Sequence, residues 1–149
     1  AMARGGVDGF PIVDLRAVGT GGKHHSVDSS EMSFKMAGSL ALREAIAQVG
    51  IDVLEPVSEV TVRVPASLQG DVLGDLNARR AQVLGTVTDE AGMATVQALV
   101  PSAEIVRYAI DLRSLSGGSG SFEVEHHGYQ PLPPNLVDRV RADAEEVAR

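Results

Sequence analysis

Apolar and polar positions follow two different rhythms along this chain. Between Glu31 and Val49, the apolar residues Phe34, Ala37, Ala41, Ala45 and Val49 fall on one helical face, with Met36 and Leu40 beside them. That spacing predicts an amphipathic helix. Asp28 is placed to cap it, with Glu31 completing a capping-box pattern, and Gly50 supplies the stop, so a helix is expected from Ser29 to Gln48. Past Pro56 the rhythm shortens. Val60, Val62 and Val64 alternate with Thr61 and Arg63, the pattern of a strand with one buried face, and Pro65 ends it. Leu68, Val72 and Leu76 then mark a short helix that runs to Arg79. Ala81 to Val87 and Met93 to Val100 read as two strands joined by a turn at Asp89-Glu90-Ala91-Gly92. After Pro101 a helix places Ile105, Ala109 and Leu112 on one face, and a last strand alternates Phe122 and Val124 with Glu123 and Glu125.

The order over residues 57–131 is β-α-β-β-α-β, that of a ferredoxin-like α+β domain. A proline-rich link, Pro131 to Pro134, then leads into a charged helix from Asn135 to Ala148, so residues 132–149 form a linker and terminal helix. Upstream, residues 1–9 are a glycine-rich leader, and its opening Ala1-Met2-Ala3 reads as a cloning remnant before a fragment. Phe10 to Val18 reads as a strand and Gly19 to Gly22 as a loop. Residues 10–55 therefore hold a strand, a loop and a helix, too few elements to close a core. The apolar stripe of that helix is expected to stay exposed, to borrow strands from a neighbouring molecule, or to pack on residues 57–131.

Hydrophobic residues make up 44% of the 149 residues but aromatics only 3%, so the core must be aliphatic. The chain has no cysteine, which removes disulfides and thiolate zinc sites. No apolar run approaches a bilayer span. A net charge of −7 argues against nucleic acid as a partner for the body as a whole. An acidic body can still place a few cations at contact points; the candidates are Lys23, Arg79, Arg80, Arg107 and Arg113.

No catalytic constellation stands out. Gly19 to Lys23 fails the phosphate-loop pattern twice, with Ala17 at the first glycine and His24 at the hydroxyl position. His24-His25 and His126-His127 are adjacent pairs, and neighbours on a strand point to opposite faces, so each pair offers at most one metal ligand. Ser29, His25 and Asp28 contain the types of a hydrolytic triad, but helix capping explains the serine and aspartate better. The loop from Pro65 to Gly70 lacks the anion-binding arginine that acyl-phosphate hydrolases of this fold require. What remains is the long polar loop Gly19–Val27 between a strand and a capped helix. Such a loop can project into a groove, and its imidazoles can hydrogen-bond to or stack on RNA.

Two blocks of sequence carry a resemblance. GTGGKHHSVDSSE, Gly19 to Glu31, is similar to the fourth-domain loop of the bacterial elongation factor G family, typically Gly-Asp-Gly-Ser-Tyr-His, an acid, then Val-Asp-Ser-Ser-Glu. GDVLGDLNARR, Gly70 to Arg80, resembles the family's fifth-domain signature, as do Tyr108-Ala109 and Asp111-Leu112-Arg113-Ser114. The resemblance runs over about residues 10–140. It departs at His24 for tyrosine, at Ser26 for the acid, at Val106-Arg107 for Phe-Gly, and at Ser119 where the family usually carries arginine.

The resemblance implies the last part of an S5-like α/β fourth domain followed by a ferredoxin-like fifth domain, both from a translational GTPase of the cytoplasm. It implies that GTP and magnesium are bound by other domains of the intact parent. It places Lys23, His24 and His25 at the decoding centre against the messenger–transfer RNA duplex, promoting translocation. It sets Arg79, Arg80, Arg107 and Arg113 towards large-subunit RNA. The departures point to a paralogue, with ribosome recycling or rescue as an alternative role. A stand-alone ferredoxin-like RNA-binding module is the alternative from outside the family.

Overall fold

The computed structural model describes residues 2–5, 9–27 and 29–147, and for Arg4 and residues 144–147 the backbone alone. The chain divides into two compact units: Ala1–Asp52 with Val137–Arg149, and Val53–Leu136.

The second unit is built on one four-stranded antiparallel sheet. Its elements are β1 (Leu54–Pro65), α2 (Gln69–Ala78), β2 (Gln82–Thr88), β3 (Met93–Pro101), α3 (Tyr108–Ser116) and β4 (Ser121–Pro131), preceded in the chain by α1 (Glu31–Val49). The strand order β2-β3-β1-β4 is that of a ferredoxin-like fold. The valine alternation sets the layering. Val60, Val62 and Val64 of β1 and Ala94, Val96, Ala98 and Val100 of β3 are buried. They pack with Val72 and Leu76 of α2 and with Tyr108 and Leu112 of α3. The intervening residues, including Thr61, Arg63, Thr95 and Gln97, occupy the opposite face of the sheet. The β2–β3 turn closes where Gly92 takes φ 79°, a conformation open to glycine at little cost. Asp89 secures it by accepting from the Met93 N–H at 2.9 Å.

One expectation for this unit needs correcting. Ala109 does not face the core; it is exposed. A 3-10 turn, Ser102–Ile105, precedes α3 and changes the helical phase. Tyr108 therefore takes the central position, and Ser116 completes the buried face with Leu112.

In the first unit the predicted helix is present as α1, Glu31–Val49. Its cap is Ser30, whose side chain accepts from the Ser33 N–H at 3.1 Å. The expected cap, Asp28, lies outside the described residues, as do parts of the leader and the Ala148 end of α4 (Pro134–Val147). The strand expected over Phe10–Val18 does not form. Asp14 sits at φ 53°, which breaks an extended run, and no partner strand is available among the described residues to satisfy its main-chain groups. The helical stripe is exposed, Phe34 at 50% and Leu40 at 59%, and among the described residues of α1 only Ile46 is buried. No helix among the described residues is long and apolar enough to cross a membrane.

Candidate nucleic-acid interface

The loop from Gly19 to Val27 is exposed throughout and carries no regular secondary structure. Its root is nevertheless tied. The His25 N–H donates to Ser29 Oγ at 2.8 Å, and the Ser29 N–H donates back to the His25 carbonyl at 3.1 Å. This exchange closes a tight turn directly before the helix and occupies both main-chain groups of His25, leaving its imidazole exposed. The His24 ring lies parallel to Phe34 of α1, 5° between planes and 6.5 Å between centroids. That is an offset stack near the long end of the favourable range. Lys23 stands beside them, exposed. His24 and His25 are thus each tied to the start of the helix, through Phe34 and Ser29.

The four arginines divide into two pairs. Arg79 donates from Nε and Nη2 to Asp75 at 2.9 and 3.1 Å, from Nη2 to Asp111 at 2.9 Å, and from Nη1 to the Glu104 carbonyl at 2.8 Å. Its guanidinium carbon lies 5.1 Å from the centre of the Tyr108 ring. The Asp75 hydrogen bonds, with Asp111 behind them, hold its pKa above the ordinary value against the effect of burial. Arg80 grips Glu55 with both Nη atoms, at 2.7 and 2.9 Å, and donates from Nε to Glu104 at 3.1 Å. Glu55 has only 8% of its side chain exposed. The Arg80 hydrogen bond holds its carboxyl below the ordinary range although burial pushes the other way, and Gln130 adds a contact at 3.2 Å. Arg79 and Arg80 therefore clamp α2 to the neighbouring elements. Arg107 and Arg113 are exposed on α3 and its N-terminal flank, and neither has an ion pair among the described residues.

The backbone explains why the clamp sits where it does. The Arg80 N–H reaches the Asn77 carbonyl at 3.1 Å and the Ala81 N–H reaches the Leu76 carbonyl at 3.1 Å, the paired bonds of a Schellman ending. Arg80 holds the left-handed position, φ 60°, where glycine is usual. This turns its side chain back towards β1. Tyr108, which sequence reasoning left out of the core, is fully buried, and its hydroxyl has no partner among the described residues. Burial, with Asp75 nearby, pushes its pKa up to about 12. The aromatic-poor composition was the signal for it: a tyrosine on an otherwise aliphatic helix face must sit in the core or at a contact.

The glycine loop is not followed by a helix at Lys23, since α1 begins only at Glu31, so no helix N-terminus meets a phosphate there. No group of three or more metal-ligating side chains occurs among the described residues, and His126 lies instead against the Tyr129 ring at 5.4 Å.

A family model for elongation factor G, domain IV, matches residues 1–50, and one for the elongation factor G C-terminus matches residues 52–140. Elongation factor G-like proteins from two strains of Mycobacterium tuberculosis, CDC 1551 / Oshkosh and H37Rv, are each 48% identical over 143 residues. The match covers 96% of this chain but 20% of those relatives, so the chain spans about a fifth of their length. A crystal structure of a Thermus thermophilus protein matches with a TM-score of 0.87 at 37% identity, covering 97% of this chain and 22% of that one. With the C-terminal model alone spanning more than half of its residues, the chain belongs to the elongation factor G family.

Proposed function

We propose that this chain is the ribosome-facing end of a GTP-hydrolysing translation factor, and that it acts in GTP-dependent movement of transfer and messenger RNA. In this reading GTP and magnesium are held by domains outside the chain. The loop Gly19–Val27 enters the decoding centre. Lys23 meets a phosphate, and His25 meets the messenger–transfer RNA duplex and blocks its return. The observation that carries the reading is the tied root of the loop. With both main-chain groups of His25 bonded to Ser29, the backbone that carries the imidazole is already ordered, so less of the loop remains to be ordered on binding.

A single-round translocation assay with the intact parent, GTP and pre-translocation ribosomes tests it. Messenger RNA is expected to advance by one codon. His25→Ala is expected to slow that step by about tenfold, the effect of losing one RNA contact of about 1.4 kcal/mol, while ribosome-stimulated GTP hydrolysis is unchanged. Failure to bind ribosomes at all would sink the proposal.

A second reading has one observation in its favour. His24 stands where the family usually has tyrosine, and it is stacked on Phe34, so the tip carries a different ring from that of the main translocase. Absence of movement with intact ribosome-stimulated hydrolysis would assign the factor to ribosome recycling or rescue.

A further inference from the structure

The outward face of α3 and its flank is built unlike a solvated helix surface. Val106, just ahead of α3, and Ile110 within it are 82% and 62% exposed. Arg107 at the helix N-cap, and Ala109 and Arg113 within the helix, are exposed as well. The inward face is taken by Tyr108, Leu112 and Ser116, so none of the five outward residues contributes to the core. The acidic groups in this part of the chain are already engaged: Asp111 with Arg79, and Glu104 with Arg80. Two exposed cations thus accompany two exposed aliphatic side chains, with no carboxylate paired to them among the described residues, on a chain of net charge −7.

The geometry points to a protein partner on this face, an amphipathic helical segment with an apolar stripe bordered by acidic residues. Charge selects the acid. The aliphatic centre selects protein over RNA. A hydrated phosphate gains nothing from Val106 and Ile110, and single-stranded RNA is held by stacking on aromatic rings, of which this face has none. An apolar stripe laid over Val106 and Ile110 instead removes both from water, while each guanidinium takes a carboxylate in forked geometry. The pattern is that of a small interface with an aliphatic centre and a charged rim. This face belongs to the second compact unit and the loop Gly19–Val27 to the first, and the inference does not depend on what that loop binds.

The test uses the 149-residue chain labelled for NMR. The probe is a synthetic helical peptide of about 15 residues, four turns, with leucine at i, i+3, i+4 and i+7 and glutamate beside them. Controls are the same peptide with lysine for glutamate and a short RNA hairpin. The acidic peptide is expected to shift the amides of residues 105–114 and to bind more weakly as salt rises. Ile110→Ser and the pair Arg107→Ala with Arg113→Ala are each expected to raise its Kd by about tenfold. All of these side chains are exposed, and preserved dispersion of the remaining spectrum shows that the fold is kept. Equal shifts with the lysine peptide, shifts with the RNA hairpin alone, or no shift at residues 105–114 would each overturn the inference.

Discussion

At the scale of single residues, Arg80 shows a conflict settled by an ion pair. A side chain in the left-handed region costs roughly 1–2 kcal/mol that glycine would not incur. Arg80 is kept there by its forked grip on Glu55, a carboxylate with almost no access to water. Arg80→Ala keeps the backbone cost and leaves Glu55 buried without its cation, so unfolding free energy is expected to fall by about 3 kcal/mol. Arg80→Gly is expected to lose about 1 kcal/mol less, because the strain goes with the side chain. Denaturant titration of both variants checks the pair, and equal losses would show that the left-handed backbone costs nothing here. The pH dependence has a fixed sign. Glu55 binds its proton less readily folded than unfolded, so its stabilisation is complete above its ordinary pKa of 4.5 and is lost as pH falls through the lower folded value. In Arg80→Ala that acid-side loss should shrink. None of this was legible in the sequence, where Arg79 and Arg80 read as contact points. An Asp75–Arg79 spacing of four residues can be seen along a helix, but the meeting of Arg80 with Glu55 across 25 positions exists only once the sheet has formed.

At the scale of elements, periodicity and punctuation located the strands of the four-stranded sheet. The valine alternation located β1 and β3, and Gly92 the turn, because burial of one face sets a strand's period. The strand expected over Phe10–Val18, from apolar Ile12 and Val13 beside charged Asp14 and Arg16, does not form, and nothing among the described residues pairs with the segment. Ala109 was misassigned for another reason: a 3-10 turn does not keep the 100° step on which a helical stripe depends. The α3–β4 connection shows how closely elements are fitted. The Ser116 hydroxyl donates to the Leu112 carbonyl at 2.7 Å and accepts from the Gly120 N–H at 3.0 Å. A Cβ at Gly120 would lie 2.9 Å from Ser116 Oγ and 3.0 Å from a Val64 methyl. Gly120→Ala is therefore expected to cost about 1–3 kcal/mol by overpacking. A thermal scan should show a drop of several degrees. An unchanged midpoint would mean that the loop moves aside freely.

At the scale of the whole molecule, the sequence foresaw that α1 has no strands to cover. The structure shows apolar side chains exposed on two sides of it, Phe34 on one and Met32, Met36 and Leu40 on the other, each at least half accessible. Such uncovered apolar residues favour association of the isolated chain. Sedimentation is expected to give a mass that rises above 15.6 kDa with concentration, and Leu40→Glu to return it to that of one chain. A constant single-chain mass at all concentrations would contradict this. The tip residues Lys23, His24 and His25 could be proposed from the family resemblance, but not the way they are held. Phe34 and Ser29 become their supports only when the helix turns them towards the loop.

The sheet topology has a mechanical meaning. β1 and β4 lie side by side and antiparallel, with Leu54 opposite Pro131 and the Leu132 N–H bonded to the Val53 carbonyl at 2.8 Å. The chain therefore enters and leaves this domain at the same corner. A load applied through the flanking segments falls on one rung of the ladder at a time and opens it like a zip, whereas strands pulled lengthwise past each other would share the load across every rung. Any strain that the remainder of the protein transmits to this domain meets it at its softest seam.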